Sequence, residues 1–183
     1  MSTPETYPIE IAGVKRQLRL FRVAPGLRIA ILNILGDTEL VQASARALAT
    51  KLKAVDYDIF ITAEAKSIPL AYALSVETKK PYVVLRKSYK AYMGDALQAE
   101  TLSITTGQPQ TLILDEKDRA LITGKKVLVV DDVISTGSTL QGIRLILGKA
   151  DAIVAGEAAI LTEGEKSKWM QIIALGHLPL FTD

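Results

Sequence analysis

The stretch "VLVVDDVISTGST", Val127–Thr139, decides how the rest of the chain is read. Val127–Val130 is a continuous apolar run, as expected of a central strand in a parallel sheet, where both faces are covered. Two adjacent carboxylates, Asp131 and Asp132, follow at its carboxyl edge. Ser135, Thr136, Gly137, Ser138 and Thr139 then make a turn into a helix. Gly137 permits a left-handed backbone. Successive N–H groups in such a turn, with a helix N-terminus behind them, form a cradle for an anion. A phosphate beside two carboxylates is contradictory unless the ligand is a sugar phosphate. The amides then hold the phosphate, and the carboxylates accept from sugar hydroxyls. The loop lacks the G-x-x-x-x-G-K-[ST] of a P-loop and the G-x-G-x-x-G of a dinucleotide turn. An isolated "TGST" would read more simply as a capped strand–helix turn with solvated aspartates.

Outward from this stretch the chain alternates. "YDIFITA" (Tyr57–Ala63), "YVVLR" (Tyr82–Arg86), "KVLVV" (Lys126–Val130) and "AIVAGEAAIL" read as strands. "IPLAYALSVE", with Pro69 in its first turn, and "TLQGIRLILGKA" read as helices. Asp37 caps a helix running to about Lys53, with Leu40, Ser44, Leu48 and Leu52 on one face and Val41 and Ala45 beside it. Residues 7–35, broken by Gly13 and Pro25-Gly26, suggest a small hairpin-like region. Residues 87–100 read as a long polar loop, and Thr101–Leu114 as two short strands around Gly107-Gln108-Pro109. Strands alternating with helices predict an α/β fold with a central, mainly parallel sheet flanked by helices. Ligands of such sheets bind at the carboxyl ends of the strands.

Two further strand ends carry chemistry. In "ITAEAKSIPL", Lys66 lies in a turn before a helix and can meet a second anion, or is simply an exposed loop lysine. In "VVLRKSYK", Arg86, Lys87 and Lys90 place three cations beyond a strand, where arginine can engage a diphosphate bidentately. A solvated basic face is the plainer reading of such a cluster.

The bulk numbers bound the class. With 183 residues, one domain spanning 1–183 is expected. A net charge of +2 argues against general nucleic-acid binding. There is no cysteine, hence no disulfide and no thiolate metal site. The N-terminus shows no secretory pattern, and no apolar run approaches the roughly 20 residues that span a bilayer. A cytoplasmic protein without membrane partners is the expectation.

The run Val127–Thr139 resembles the phosphoribosyl-diphosphate motif of the type I phosphoribosyltransferases. The resemblance implies that Asp131 and Asp132 bind the ribose hydroxyls and act at the reacting centre. It implies that Ser135 to Thr139 hold the 5′-phosphate. The loop Ala65, Lys66 and Ser67 would hold diphosphate, often through a non-proline cis peptide, with Ala65–Lys66 the candidate bond. Arg86 and Lys87, with Lys90 beyond them, would do the same, and the loop at 87–100 would be a flexible lid. Residues 1–36 would contribute a hood over the base. Mg²⁺, carried by the diphosphate near Asp131 and Asp132, is the implied cofactor, and a homodimer the implied assembly.

Over most of its length the chain resembles the adenine and xanthine branch, through "RK…K", "SITTG" and the ending "LPLF". The hypoxanthine-guanine branch usually has an aspartate where Ser135 stands. Adenine enzymes usually carry a glutamate in the returning loop, where alignment on Gly107 puts Thr105. Threonine cannot serve as the same acid or base. Adenine is the leading base, xanthine the nearest competitor, and the proton relay is unassigned. Some relatives are regulators that sense phosphoribosyl diphosphate and usually carry a DNA-binding module, for which there is no room before the helix at Asp37. His177, the one histidine, reads as structural, and "EGEKSKW" around Trp169 as a surface segment.

Overall fold

The computed structural model of the chain describes residues 5–102 and 109–182. Its centre is a five-stranded, wholly parallel sheet in the order β10-β9-β8-β4-β5. The strands are β4 (Ile59–Ala63), β5 (Tyr82–Leu85), β8 (Lys126–Ile134), β9 (Ile153–Glu163) and β10 (Ile173–Leu178). Val127–Val130 are completely buried, as a strand covered on both faces requires. Helices α1 (Thr38–Lys51) and α2 (Ile68–Thr78) cover one face, and α4 (Ser138–Lys149) the other.

Helix α1 begins where the sequence predicts. The Asp37 carboxylate accepts the Leu40 N–H, and Leu40, Ser44, Leu48 and Leu52 are all buried. The N-terminal region is a full antiparallel meander, β1 (Thr6–Ile11), β2 (Val14–Ala24) and β3 (Leu27–Ile31). The chain's end joins it as β11 (Phe181–Thr182), pairing with β3.

Three expectations are corrected. Residues 87–100 are not one long loop: Ala91–Met93 form a 3-10 turn and β6 (Leu97–Leu102) starts well before Thr101. Strand β6 pairs antiparallel with β7 (Pro109–Leu114), so the hairpin takes over the last four residues of the expected lid, 97–100. Its alternating polar sequence "LQAETL" is strand-like only because β7 and α4 cover one side. A short helix, α3 (Glu116–Ile122), precedes β8. Finally, β8 does not stop at Val130. Pairing to β4 ends at Val129, but pairing to β9 continues through Asp131↔Ala159 to Ile134↔Thr162.

Candidate functional site

That staggered ending creates the site. Beyond Val129, β8 has lost β4 as a neighbour on one side and still has β9 on the other. The gap is filled by the turn after β4, whose Ser67 lies beneath the aspartates. Ser67 Oγ donates to Asp131 Oδ1 at 2.7 Å and accepts the Asp132 N–H at 2.8 Å. The Asp132 N–H also points at Asp131 Oδ1, 2.9 Å away. Two carboxylates on consecutive residues are thus fixed in orientation by one hydroxyl 64 residues away. Burial, and next the charge of Asp132, push the Asp131 carboxyl well above the ordinary carboxylate range, against the lowering effect of Ser67.

Lys66, expected to meet an anion, reaches the same pair. Its Nζ lies 3.7 Å from Asp132 Oδ2 and 3.4 Å from the Leu32 carbonyl oxygen. The second contact brings the end of the N-terminal meander to the site. Asp132 Oδ2 is buried and accepts no hydrogen bond. Ala65, Lys66, Ser67 and Lys87 line a cleft of about 190 Å³ together with Asp131, Asp132 and Thr139.

Next to it, the turn Ser135–Thr139 wraps a smaller cavity of about 30 Å³. Gly137 takes φ +79°, the left-handed conformation the sequence anticipates, and caps α4 without a side chain. The Ser138 N–H reaches Thr136 Oγ1 only at 3.4 Å, and Gly137 offers the first turn of α4 no capping side chain, which favours an anion there. Thr136 Oγ1 and Ser138 Oγ are 3.1 Å apart, and both hydroxyls belong to this turn.

Not every predicted residue has a side chain open to a ligand. Ser67 is 2% exposed, and its hydroxyl is engaged by the aspartates rather than open to a ligand. Arg86 Nε donates to Glu64 Oε2 at 2.6 Å, and Glu64 Oε1 accepts the Lys87 N–H at 2.5 Å. Burial raises the Glu64 carboxyl, but the Lys87 amide and the Arg86 guanidinium outweigh it and hold the group below its ordinary range. Glu64 therefore ties the Arg86-Lys87 strand end to the turn carrying Lys66. The sequence reading passed over Glu64, although a carboxylate directly before the anion-binding turn was visible. Lys90 is exposed at the start of the 3-10 turn and does not line the cleft. The cis peptide is present one residue earlier than expected, at Glu64–Ala65. The backbone turns directly at the end of β4, where the Glu64 N–H is still paired to the Leu85 carbonyl. Thr105 and Gly107 lie outside the described residues. The His177 ring lies between Thr162 Oγ1 (2.9 Å) and the Gly164 carbonyl oxygen (3.0 Å), a strand-to-strand contact.

The donor set fits a divalent ion only in part. Among the described residues no cluster of three or more metal-binding side chains exists. An ion near Asp131 and Asp132 Oδ2, which accepts no hydrogen bond, would therefore have to arrive on its ligand's own oxygens.

Comparison with known proteins identifies the family. A family model described as a phosphoribosyl transferase domain matches residues 32–172. The purine biosynthesis transcriptional repressor PurR of Bacillus subtilis is 31% identical over 144 residues, covering 79% of this chain and 50% of that protein. A hypoxanthine/guanine phosphoribosyltransferase of Methanotorris igneus is 37% identical over 127 residues, 67% of this chain and 66% of that one. The chain thus spans about half the length of its PurR relatives. In three dimensions it is similar to adenine phosphoribosyltransferase from Thermoanaerobacter pseudethanolicus, with TM-score 0.72 and 21% identity over 87% of this chain and 95% of the other. At that identity the likeness speaks for the fold alone. The family model covers well over half of the sequence, and the chain belongs to the phosphoribosyl transferase domain family.

Proposed function

We propose that this chain is a purine phosphoribosyltransferase, moving the 5-phosphoribosyl group from phosphoribosyl diphosphate to a purine base, adenine in first place, in purine salvage. The observation that carries this reading is the Asp131–Asp132 pair, oriented by Ser67 between the turn Ser135–Thr139 and the cations Lys66 and Lys87. A ligand with a phosphate at one end, vicinal hydroxyls in the middle and a diphosphate at the other matches that order of groups. In the reaction the C1–O bond to diphosphate breaks, the diphosphate leaving with the bonding electrons, and a C1–N bond to the purine forms as that nitrogen's N–H bond breaks and its proton passes to the released diphosphate or to solvent. Positive charge develops on the ribose in such transfers. The aspartates hold the ribose and Lys66 and Lys87 offset charge on the leaving group. Mg²⁺, when bound through the diphosphate, would neutralise the leaving group further. Residues 87–100, the lid of the resemblance, would exclude water, and residues 1–36 would form the hood over the base within one domain. A homodimer in the cytoplasm belongs to this reading.

Adenine is favoured by the fold likeness and by Ser135, which stands where the hypoxanthine-guanine branch usually has aspartate. A second reading, a domain that binds phosphoribosyl diphosphate without turning it over, is favoured by the similarity to PurR. One assay separates them. The protein is incubated with Mg²⁺, phosphoribosyl diphosphate and, in turn, adenine, xanthine, hypoxanthine or guanine, and diphosphate release is measured. Release dependent on adenine is expected, and its loss in the double variant Asp131→Asn, Asp132→Asn. Tight binding without turnover on any base would overturn the catalytic reading.

A further inference from the structure

Trp169 stands apart from the polar segment around it. It is half-buried at the end of the 3-10 turn Lys166–Trp169, while Glu165, Lys166, Ser167, Lys168 and Met170 are exposed. Its indole N–H donates to the Glu163 carbonyl oxygen at 2.8 Å, which fixes the ring at the end of β9. The ring packs against the apolar cluster on the α4 side of the sheet. Its far edge meets the phosphate turn: a Cβ placed on Gly137 would lie 3.1 Å from Trp169 Cη2 and 3.5 Å from Cζ3. Gly137 is thus held to glycine twice, by its left-handed φ and by the indole against its Cα. A loop built of small hydroxyl residues has little side-chain mass of its own to stiffen it. Here a large flat ring, anchored through its N–H to the neighbouring strand, closes off one side of that loop.

From this contact we infer that Trp169 is a positioning residue of the phosphate cradle: it holds the backbone of Ser135–Thr139 in its anion-binding shape without touching the ligand. The inference rests on the reading of that turn as the 5′-phosphate site. Because the chain has one tryptophan, the same contact makes its emission a direct reporter of the turn.

The test uses ribose 5-phosphate as the probe. Calorimetric titration of the wild-type protein establishes binding, and emission is followed in a parallel titration. The expected result is an emission change that saturates with the calorimetric midpoint. Trp169→Ala should weaken ribose 5-phosphate affinity on the order of tenfold, the scale expected when a binding loop loses its support. It should raise the KM for phosphoribosyl diphosphate by more than it lowers kcat. Trp169→Phe, which keeps a ring over Gly137, should restore most of the affinity. Calorimetric binding with silent emission, or equal affinity in Trp169→Ala and wild type, would overturn the inference and leave the phosphate site standing. If Trp169→Ala does not fold, the wild-type emission still decides. Absence of any calorimetric binding would overturn the phosphate-site reading itself, and the inference with it.

Discussion

Asp131 shows the opposition between stability and function at one residue. Its carboxyl is pushed above its ordinary value by burial and then by the charge of Asp132. A group whose pKa is raised in the folded state binds protons more tightly there than when unfolded, so ionising it works against the fold. That penalty is absent below the unfolded value of about 3.9 and complete once the pH exceeds the raised one. Asp131→Asn keeps an oxygen for Ser67 Oγ and the Asp132 N–H and removes the charge. The variant should therefore melt higher than wild type at pH 8, by a few degrees if the gain is about 1 kcal/mol in a domain of this size. At pH 3.5 the two should melt together. Differential scanning calorimetry at both pH values checks this, and a lower melting temperature at pH 8 would contradict it. The same variant should lose most transferase activity, since amide nitrogen cannot accept from a ribose hydroxyl.

At the scale of elements, what was legible in the sequence is what depends on local pattern. The continuous apolar runs of β4, β5 and β8, the Asp37 cap and the Pro69 helix start all lie where their residues place them. Strand β10 was missed because "IALGHL" carries a glycine and a histidine, and its edge position leaves all but Leu178 half exposed. The β6–β7 pair lies where two short strands are expected, but β6 starts at Leu97 rather than Thr101, because the cover of its first residues comes from β7 and α4, far along the chain. The site divides in the same way. The turn Ser135–Thr139 and the two aspartates were visible as a contiguous motif. Ser67 beneath them, Glu64 clamping Arg86 and Trp169 against Gly137 are contacts between distant segments, which no local pattern announces. One such contact joins the meander to the core. Arg16 on β2 donates to the Asp37 carboxylate at 2.7 and 2.8 Å, and to Glu39 at 2.8 Å. The Arg16 hydrogen bond holds the Asp37 carboxyl below its ordinary range, so the ionic part of this latch is complete at neutral pH and lost as the pH falls through the lowered value. Asp37→Ala removes the helix cap and the latch together. It should cost about 1–2 kcal/mol in urea unfolding at pH 7, and an unchanged midpoint would show that neither contact matters.

Of the three sheets among the described residues, the two larger, the meander and the central sheet, are joined at both of the meander's ends. The meander begins the sequence, while its fourth strand, β11, comes from the last residues after the chain has crossed the central sheet. Phe181 makes that closure: it pairs with Arg28 across the strands and meets the Tyr7 ring edge-on at 5.1 Å between centroids. Lys66, reaching the Leu32 carbonyl oxygen, ties the other end of the meander to the turn beneath the aspartates. If the meander covers the base, loosening it at β11 should affect base and ribose phosphate differently. The turn Ser135–Thr139 and the aspartates belong to the end of β8 and the start of α4, whereas Phe181 belongs to β11, paired to β3. Phe181→Ala removes an aromatic pair worth about 0.5–1.5 kcal/mol beyond its buried area. The KM for the purine base should rise several-fold, by the amount such an energy implies, while ribose 5-phosphate affinity stays within error of wild type. Steady-state kinetics at saturating phosphoribosyl diphosphate, with calorimetry for ribose 5-phosphate, measures both. Equal losses in the two would mean that the meander stabilises the sheet as a whole, and that the base is held elsewhere.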